Sequence, residues 1–258
     1  MKIVLLGSGN VATHLGRAFK MAGQTVSQVW SRNLLHAAEL ADTLAAEPVT
    51  DLFDLEPDAD LYIISVKDEG IAGLASRLKL NDKLVVHTSG TTGISALEGV
   101  SSKFGVFYPL QTFSKVKSVE FRQIPIAVEG NTPEVCALIR SIADRLSENV
   151  IELDSEQRRT LHISAVFACN FTNHLFALAK ELLEEQKLDF DLLRPLIAET
   201  AEKIQMNDPA SVQTGPAVRG DVSTMSAHLE LLRNKPELKL IYEKLSQSIV
   251  NLHQRSVG

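Results

Sequence analysis

Four groups of residues in this 258-residue chain have types and spacings that chemistry can use. The first is Gly7-Ser8-Gly9-Asn10-Val11-Ala12. A glycine at the first position lets the chain turn sharply, a missing Cβ at the third admits a pyrophosphate to the backbone, and a small residue at the sixth lets a helix lie close to the preceding strand. The free N–H groups and positive dipole end of that helix then face the phosphates. Gly7, Ser8, Gly9, Asn10 and Val11 are therefore expected against a dinucleotide, the other reading being an ordinary strand-to-helix turn. The second group, Trp30-Ser31-Arg32-Asn33, follows about twenty residues later, where a site for NAD usually carries an acid. No acid stands there. Ser31 can donate to a 2′-phosphate and Arg32 can pair with it or stack on adenine, which predicts NADP as the cofactor; the alternative is a solvated Arg32.

The third group lies on an apolar helix. At about 100° per residue, His162, Cys169 and Asn173 fall within about 40° of one another and Asn170 about 80° from His162. His162 and Asn173 would stand about 16 Å apart along the axis, so they belong to separate subsites. His162 and Asn170 are candidate catalytic groups and Asn173 a candidate substrate contact, against the reading of each as a satisfied core residue. The fourth group is dispersed. Tyr108 and Gln111, in Tyr108-Pro-Leu-Gln-Thr-Phe113, can wall a substrate pocket or belong to a proline turn packed on the core. Arg219, in a loop shaped by Gly215, Pro216 and Gly220, can clamp a carboxylate or phosphate or form a salt bridge to Asp221 or a neighbouring subunit. Cys136 and Cys169, the two cysteines, each lie in an apolar helical stretch, which fits buried thiols of a reducing compartment better than a disulfide framework or a metal site.

The elements that must position these groups follow from apolar patterning. Buried strands are expected at Ile3 to Leu6, Thr25 to Trp30, Leu61 to Lys67, Lys83 to His87, Phe104 to Phe107, Ile124 to Val128 and Asn149 to Leu153, separated by helical stretches. Open α/β sheets bind ligands beyond the carboxyl ends of their strands. Ser65, Val66 and Lys67 are thus expected on the ribose side of the cofactor. Thr88 and Ser89 can meet the nicotinamide ribose or substrate, or serve a loop that caps the helix near Ile94. From Asp154 onward the pattern is helical, beginning with about thirty residues apolar on more than one face, a length that suits the centre of a bundle or a dimer. Further helices are expected from Asp189, Asp221 and Pro236. The fold class is α/β: a Rossmann dinucleotide-binding domain at 1–153 followed by an all-α domain at 154–258.

A net charge of −6 with no polybasic run argues against nucleic-acid or membrane partners. A small molecule and further copies of the chain are the expected partners. With no apolar run of membrane length and no signal-type leader, a cytoplasmic setting is expected.

The glycine motif, Trp30-Ser31-Arg32, Ile63-Ile-Ser-Val-Lys67 and the helical second half together resemble the superfamily of pyrroline-5-carboxylate reductase, ketopantoate reductase, the 6-phosphogluconate and 3-hydroxyisobutyrate dehydrogenases and the deazaflavin-dependent NADP reductases. More closely, Tyr108-Pro-Leu-Gln-Thr-Phe-Ser114, His162 to Asn170 and Gly215-Pro-x-x-Arg219-Gly-Asp221 resemble a bacterial group of Rossmann-like proteins with a C-terminal domain of unknown function. The resemblance implies an NADP-linked oxidoreductase that dimerises through its helical domain, and it supplies no substrate. The superfamily's hydroxyacid dehydrogenases carry Lys-x-x-x-Asn on the first interdomain helix; with Asn170 as that Asn, the Lys position is Val166, which cannot transfer a proton. His162, one turn earlier, is of a residue type that can carry a proton in its place. The expected activity is hydride transfer between the nicotinamide and a C=O or C=N group. The rival reading is a nucleotide-binding sensor or scaffold without turnover.

Overall fold

Alternation along the first strand divides the core in two. Ile3 and Leu5 enter the apolar layer under one set of helices, while Val4 and Leu6 enter the layer on the opposite face. All four are fully buried, as a central strand of a doubly covered parallel sheet requires. The computed structural model describes residues 1–257, with side chains through residue 254. Strands β1 (Lys2–Leu6), β2 (Thr25–Trp30), β3 (Glu47–Val49), β4 (Leu61–Ile64), β5 (Asn81–His87), β6 (Ser101–Pro109), β7 (Ile126–Gly130) and β8 (Val150–Glu152) form one sheet in the order β3-β2-β1-β4-β5-β6-β7-β8. Neighbours are parallel except β6 and β7. Strand β3 lies outside the expected set, because three residues around Pro48 carry no run of β-formers and pair only at the sheet edge.

Helices α1 (Asn10–Met21), α2 (Leu34–Leu44) and α4 (Pro133–Ala143) pack on the Ile3/Leu5 face, and α3 (Asp68–Ala75) on the other. The chain leaves β1 toward β2 and returns on its other side as β4, so the order reverses at β1. That reversal opens the crevice in which doubly wound sheets bind ligands. The register sets Leu6 level with Trp30 and Ile64, and Ile64 level with His87. The loops after β1, β2, β4 and β5 consequently leave the sheet at one edge.

After the sheet, Asp154 caps helix α5 (Ser155–Ala165) through a capping box with Gln157. A π-helical segment, Val166–Phe171, follows, and then α6 (Thr172–Glu185). A π turn takes an extra residue, so the uniform 100° wheel cannot be carried across it, and the expected single strip of His162, Cys169 and Asn173 is not kept. Cys169 is exposed rather than buried, and Cys136 is half-buried.

The chain divides into two compact units, 1–170 and 171–258, so α5 belongs with the sheet although the last strand ends at Glu152. The cause is Arg158 of α5, whose side chain is buried among groups of the first unit. The second unit holds α6, α7 (Arg194–Met206), a short α8 (Pro216–Arg219), α9 (Val222–Leu231) and α10 (Pro236–Val257). It contains no strand among the described residues, and Ala217 and Leu232 are its buried apolar side chains.

Candidate functional site

The turn after β1 is made of two glycines that do different work. Gly7 has φ +138°, and a Cβ there would lie 2.2 Å from the Ser65 carbonyl, so only glycine lets the ends of β1 and β4 come this close. At Gly9 a Cβ would meet nothing within 4 Å: the space beside this backbone is open. Gly9 is also the N-cap of α1, with no side-chain cap bond and no acid in the first turn. The helix start thus presents uncapped N–H groups to an open space, which fits a pyrophosphate. Ala12 is fully buried, as close packing of α1 on β1 demands. Ser8 and Val11 flank the turn half-buried, and the Asn10 side chain donates to the Phe113 carbonyl at 2.9 Å.

Beyond β2 lies a cavity of about 340 Å³ whose lining includes Trp30, Arg32, Val66, Lys67, Gly70 and Arg77. Arg32 and Lys67 are exposed and, like Arg77, make no ion pair among the described residues. Glu69 is the acid on this wall, so three cations face one carboxylate. A Cβ at Gly73 would meet nothing within 4 Å, which leaves a flat stretch of α3 open beside the cations. An adenosine carrying a 2′-phosphate fits this combination of a smooth face and guanidinium groups. Arg77 was invisible to sequence reasoning because α3 returns it to β2 only in three dimensions. The Ser31 hydroxyl accepts from the Asn33 N–H at 3.4 Å, and Asn33 caps α2.

The loop after β5, residues 88–93, is held from below. Arg158 is fully buried; its Nε donates to the Ser89 carbonyl at 3.2 Å, and its guanidinium also reaches the Thr92 carbonyl, Ser155 Oγ and the Glu129 carboxylate. Ser155 Oγ donates to Glu129 at 2.9 Å and accepts from the Ile94 N–H at 3.1 Å. Breaking such a buried pair on one side costs about 3–5 kcal/mol, because the other charge stays buried alone. The Ser89 hydroxyl accepts from the Thr91 and Thr92 N–H groups at 3.1 and 2.9 Å, and Thr88 donates to Ser65 Oγ at 3.2 Å. Both hydroxyls thereby shape the loop. Beneath it, His87 Nδ1 accepts from the Ser89 N–H at 3.2 Å, and Nε2 has no partner among the described residues. Burial, helped by the Arg158 charge, lowers the His87 pKa to about 4 and keeps the ring neutral.

Above the loop stands a tyrosine–histidine pair. Tyr108 Oη and His162 Nδ1 are 2.9 Å apart, with the rings edge to face at 5.9 Å. Both rest on Gly90, where a Cβ would come 2.4 Å from His162 Nδ1 and 2.9 Å from Tyr108 Cζ. Burial pushes the Tyr108 phenol up to about 12, with the Asp68 carboxylate adding and Arg158 opposing. Asp68, which opens α3, accepts from the Thr91 hydroxyl at 2.5 Å. Arg158 and His162 are one helical turn apart on α5, so the buried guanidinium that fixes the loop also fixes the helix carrying His162. Neither Arg158, Glu129 nor Gly90 stood out in the sequence. The one available signal was the four-residue spacing of Arg158 and His162.

The remaining candidates are dispersed. Asn170 is exposed at the end of the first unit, within the π-helical segment that also begins with Val166. Gln111 is exposed and its side-chain oxygen accepts from the Thr112 N–H at 2.8 Å. Asn173 and Arg219 are exposed residues of the second unit. Arg219 forms no salt bridge with Asp221; the Asp221 carboxylate instead caps α9, accepting from Thr224 N–H at 3.0 Å and Thr224 Oγ1 at 2.7 Å. Among the described residues no group of three or more His, Cys, Asp and Glu side chains could hold a metal, and no helix is long and apolar enough to cross a membrane.

Residues 2–90 match the family model "NADP oxidoreductase coenzyme F420-dependent", and residues 124–249 match "Domain of unknown function (DUF2520)". No curated protein matches the chain. Among solved structures, a "putative NADP oxidoreductase" of Bacteroides fragilis is 45% identical with a TM-score of 0.90, the match covering 97% of this chain and 98% of the other. A 1-pyrroline-5-carboxylate reductase of Streptococcus pyogenes has a similar fold at 14% identity, with a TM-score of 0.66 and 98% of each chain covered. An imine reductase of Myxococcus stipitatus, solved with NADP+, does so at 16% identity and a TM-score of 0.61, over 100% of this chain and 94% of that one.

Proposed function

The chain belongs to the NADP oxidoreductase family of the Bacteroides fragilis protein, and from that premise we propose that it reduces a C=N or C=O group of a small molecule, with Tyr108 and His162 managing the proton. It is an NADP-dependent oxidoreductase. Bound NADPH supplies the hydride; the chain supplies orientation, an anion-binding surface and the proton. Gly7, Ser8, Gly9, Asn10 and Val11 are assigned to the pyrophosphate, Ser31, Arg32 and Lys67 with Arg77 to the 2′-phosphate side, and Ser65, Val66, Thr88 and Ser89 to the ribose side.

The observation that carries the reading is the 2.9 Å Tyr108–His162 contact on Gly90. A phenol pushed up to about 12 stays protonated at neutral pH and is available as a donor. When His162 Nδ1–H donates to the phenolic oxygen, the Tyr108 O–H is free for the substrate nitrogen or oxygen; the phenolate then takes the Nδ1 proton as Nε2 of the same ring takes one from solvent, which leaves both groups neutral. His162 thus takes up the task for which Val166 is unfit. The C=N bond of the reactions named for the fold relatives makes imines the first substrates to test. Asn170, Gln111 and Asn173 are assigned to neutral polar groups of the substrate, and Arg219, which has no ion pair among the described residues, to an anionic one.

A homodimer is part of the proposal. Leu192, Leu196 and Leu231 of the second unit are 65%, 62% and 80% exposed, and a second copy would cover such side chains. The two free cysteines suit a reducing compartment, which supports a cytoplasmic setting. The test is NADPH oxidation against cyclic imines, keto acids and flavin-like acceptors. Tyr108→Phe is expected to lower kcat about a hundredfold with NADPH affinity unchanged. Full activity in both Tyr108→Phe and His162→Ala would overturn the assignment.

A further inference from the structure

A second cavity, of about 300 Å³, opens beside α1 and shares no lining residue with the Arg32 cavity. Its walls come from the middle and end of α1, from residues 118–122 ahead of β7, and from Arg145 and Leu146 just beyond α4. The floor is apolar, with Ala18, Phe121 and Leu146. The rim carries Arg17, Arg122 and Arg145 against a single carboxylate, Glu120, a formal excess of two positive charges on a protein whose net charge is −6. Arg122 is already paired with Glu148 at 2.8 Å. Arg17 and Arg145 make no ion pair among the described residues, and both are exposed.

An apolar pocket rimmed by uncommitted guanidinium groups is complementary to an amphipathic anion: a short chain or single ring held by burial, with a carboxylate or phosphate paired to arginine. The volume stands at the lower end of small-molecule sites, about 300–1,000 Å³, and is too small for a dinucleotide. The cavity is also wired to the dinucleotide turn. Phe121, in its wall, stacks on Phe113 with centroids 6.1 Å apart, and Phe113 stacks on His14, another wall residue, at 4.8 Å. His14 Nε2 bonds the Ser114 carbonyl at 2.9 Å, while the Phe113 carbonyl accepts from Asn10, the first residue of α1. We propose that this cavity binds a small amphipathic anion and that its occupancy bears, through the Phe121–Phe113–His14 stack, on the helix start that holds the cofactor phosphates.

Four probes separate the components by calorimetry on the full chain: octanoate, octyl phosphate, octanol and inorganic phosphate. Octanoate or octyl phosphate is expected to bind, the better of the two identifying the head group, and each of the other two to bind at least about tenfold more weakly. Arg17→Gln/Arg145→Gln, changed at exposed positions, should lose the same factor, and Arg17→Lys/Arg145→Lys should recover most of it. Failure of both octyl anions to bind, equal binding of octanol or inorganic phosphate, or unchanged binding by the Gln variant would overturn the site. A saturating octyl anion is expected to change NADPH affinity by about fivefold or more, and Phe113→Ala to remove that change while the probe still binds. An unchanged NADPH affinity in the native chain would overturn the coupling. The probe measurement needs no turnover, so it stands apart from the assignment of Tyr108 and His162.

Discussion

The turn after β1 and the loop after β5 leave the sheet at the same edge, yet they are built in opposite ways. The first is made by omission: no Cβ at Gly9, no capping side chain, no acid in the first turn of α1. The second is made by saturation, with Ser89, Thr92, Ser155 and Glu129 all engaged by the buried Arg158. On the proposed assignment, a surface that receives phosphates leaves its donors free, whereas one that holds a reacting pair in register satisfies its polar groups internally. Substitution at the open position of the first, Gly9, should therefore affect binding alone, and substitution in the second should affect the fold and chemistry together.

Arg158→Met would press hardest on that contrast. It strands Glu129 and frees the loop, and a loss of about 3–5 kcal/mol in denaturant unfolding is expected, with kcat falling by a larger factor than NADPH affinity. Stability unchanged to within experimental error would show that the loop is held by something other than the pair. Next is the pH response. His87 is neutral when folded, with its pKa lowered to about 4 from 6.5, so the unfolded chain binds the extra proton first as pH falls. Its contribution is fully present above about pH 6.5 and drains away toward about pH 4, roughly 3 kcal/mol in all. His87→Gln should flatten this part of the stability curve; an equal slope in the variant would remove His87 from the account.

On the other side of the contrast, Gly9→Ala should leave the melting temperature in place, since its Cβ meets nothing within 4 Å, while weakening NADPH about a hundredfold by occupying the phosphate space. Gly7→Ala should instead unfold the region, having both a positive φ and the Ser65 carbonyl in the way. Loss of stability in the Gly9 variant would contradict the division of labour between the two glycines. The smallest effect is assigned to Arg77→Ala, about tenfold weaker NADPH binding with NADH unaffected, measured by nicotinamide fluorescence. Equal loss for the two cofactors would take Arg77 away from the 2′-phosphate.

The apolar runs at Ile3–Leu6 and Leu61–Ile64, the glycine spacing and the Asp154 cap are local patterns, and each recurs in the structure where its residues stand. Local patterning by itself determined the α/β class, the helical second half, the glycine turn into α1 and the cation at the end of β2. Their determinants lie within a few residues of one another, so periodicity and backbone sterics suffice. It also singled out His162 and Tyr108, without joining them.

Only the tertiary structure decided the rest. The Tyr108–His162 contact spans 54 residues and the Arg158–Ser89 bond 69, distances along the chain over which no pattern of residue types signals a meeting. The π-helical segment at Val166–Phe171 was equally hidden, because its residues read as ordinary apolar helix while its hydrogen-bond register departs from the wheel. The extension of the first unit to Asn170 has a similar origin: a guanidinium from α5 finds its carboxylate on β7, and that buried pair, rather than any break in composition, ties the helix to the sheet.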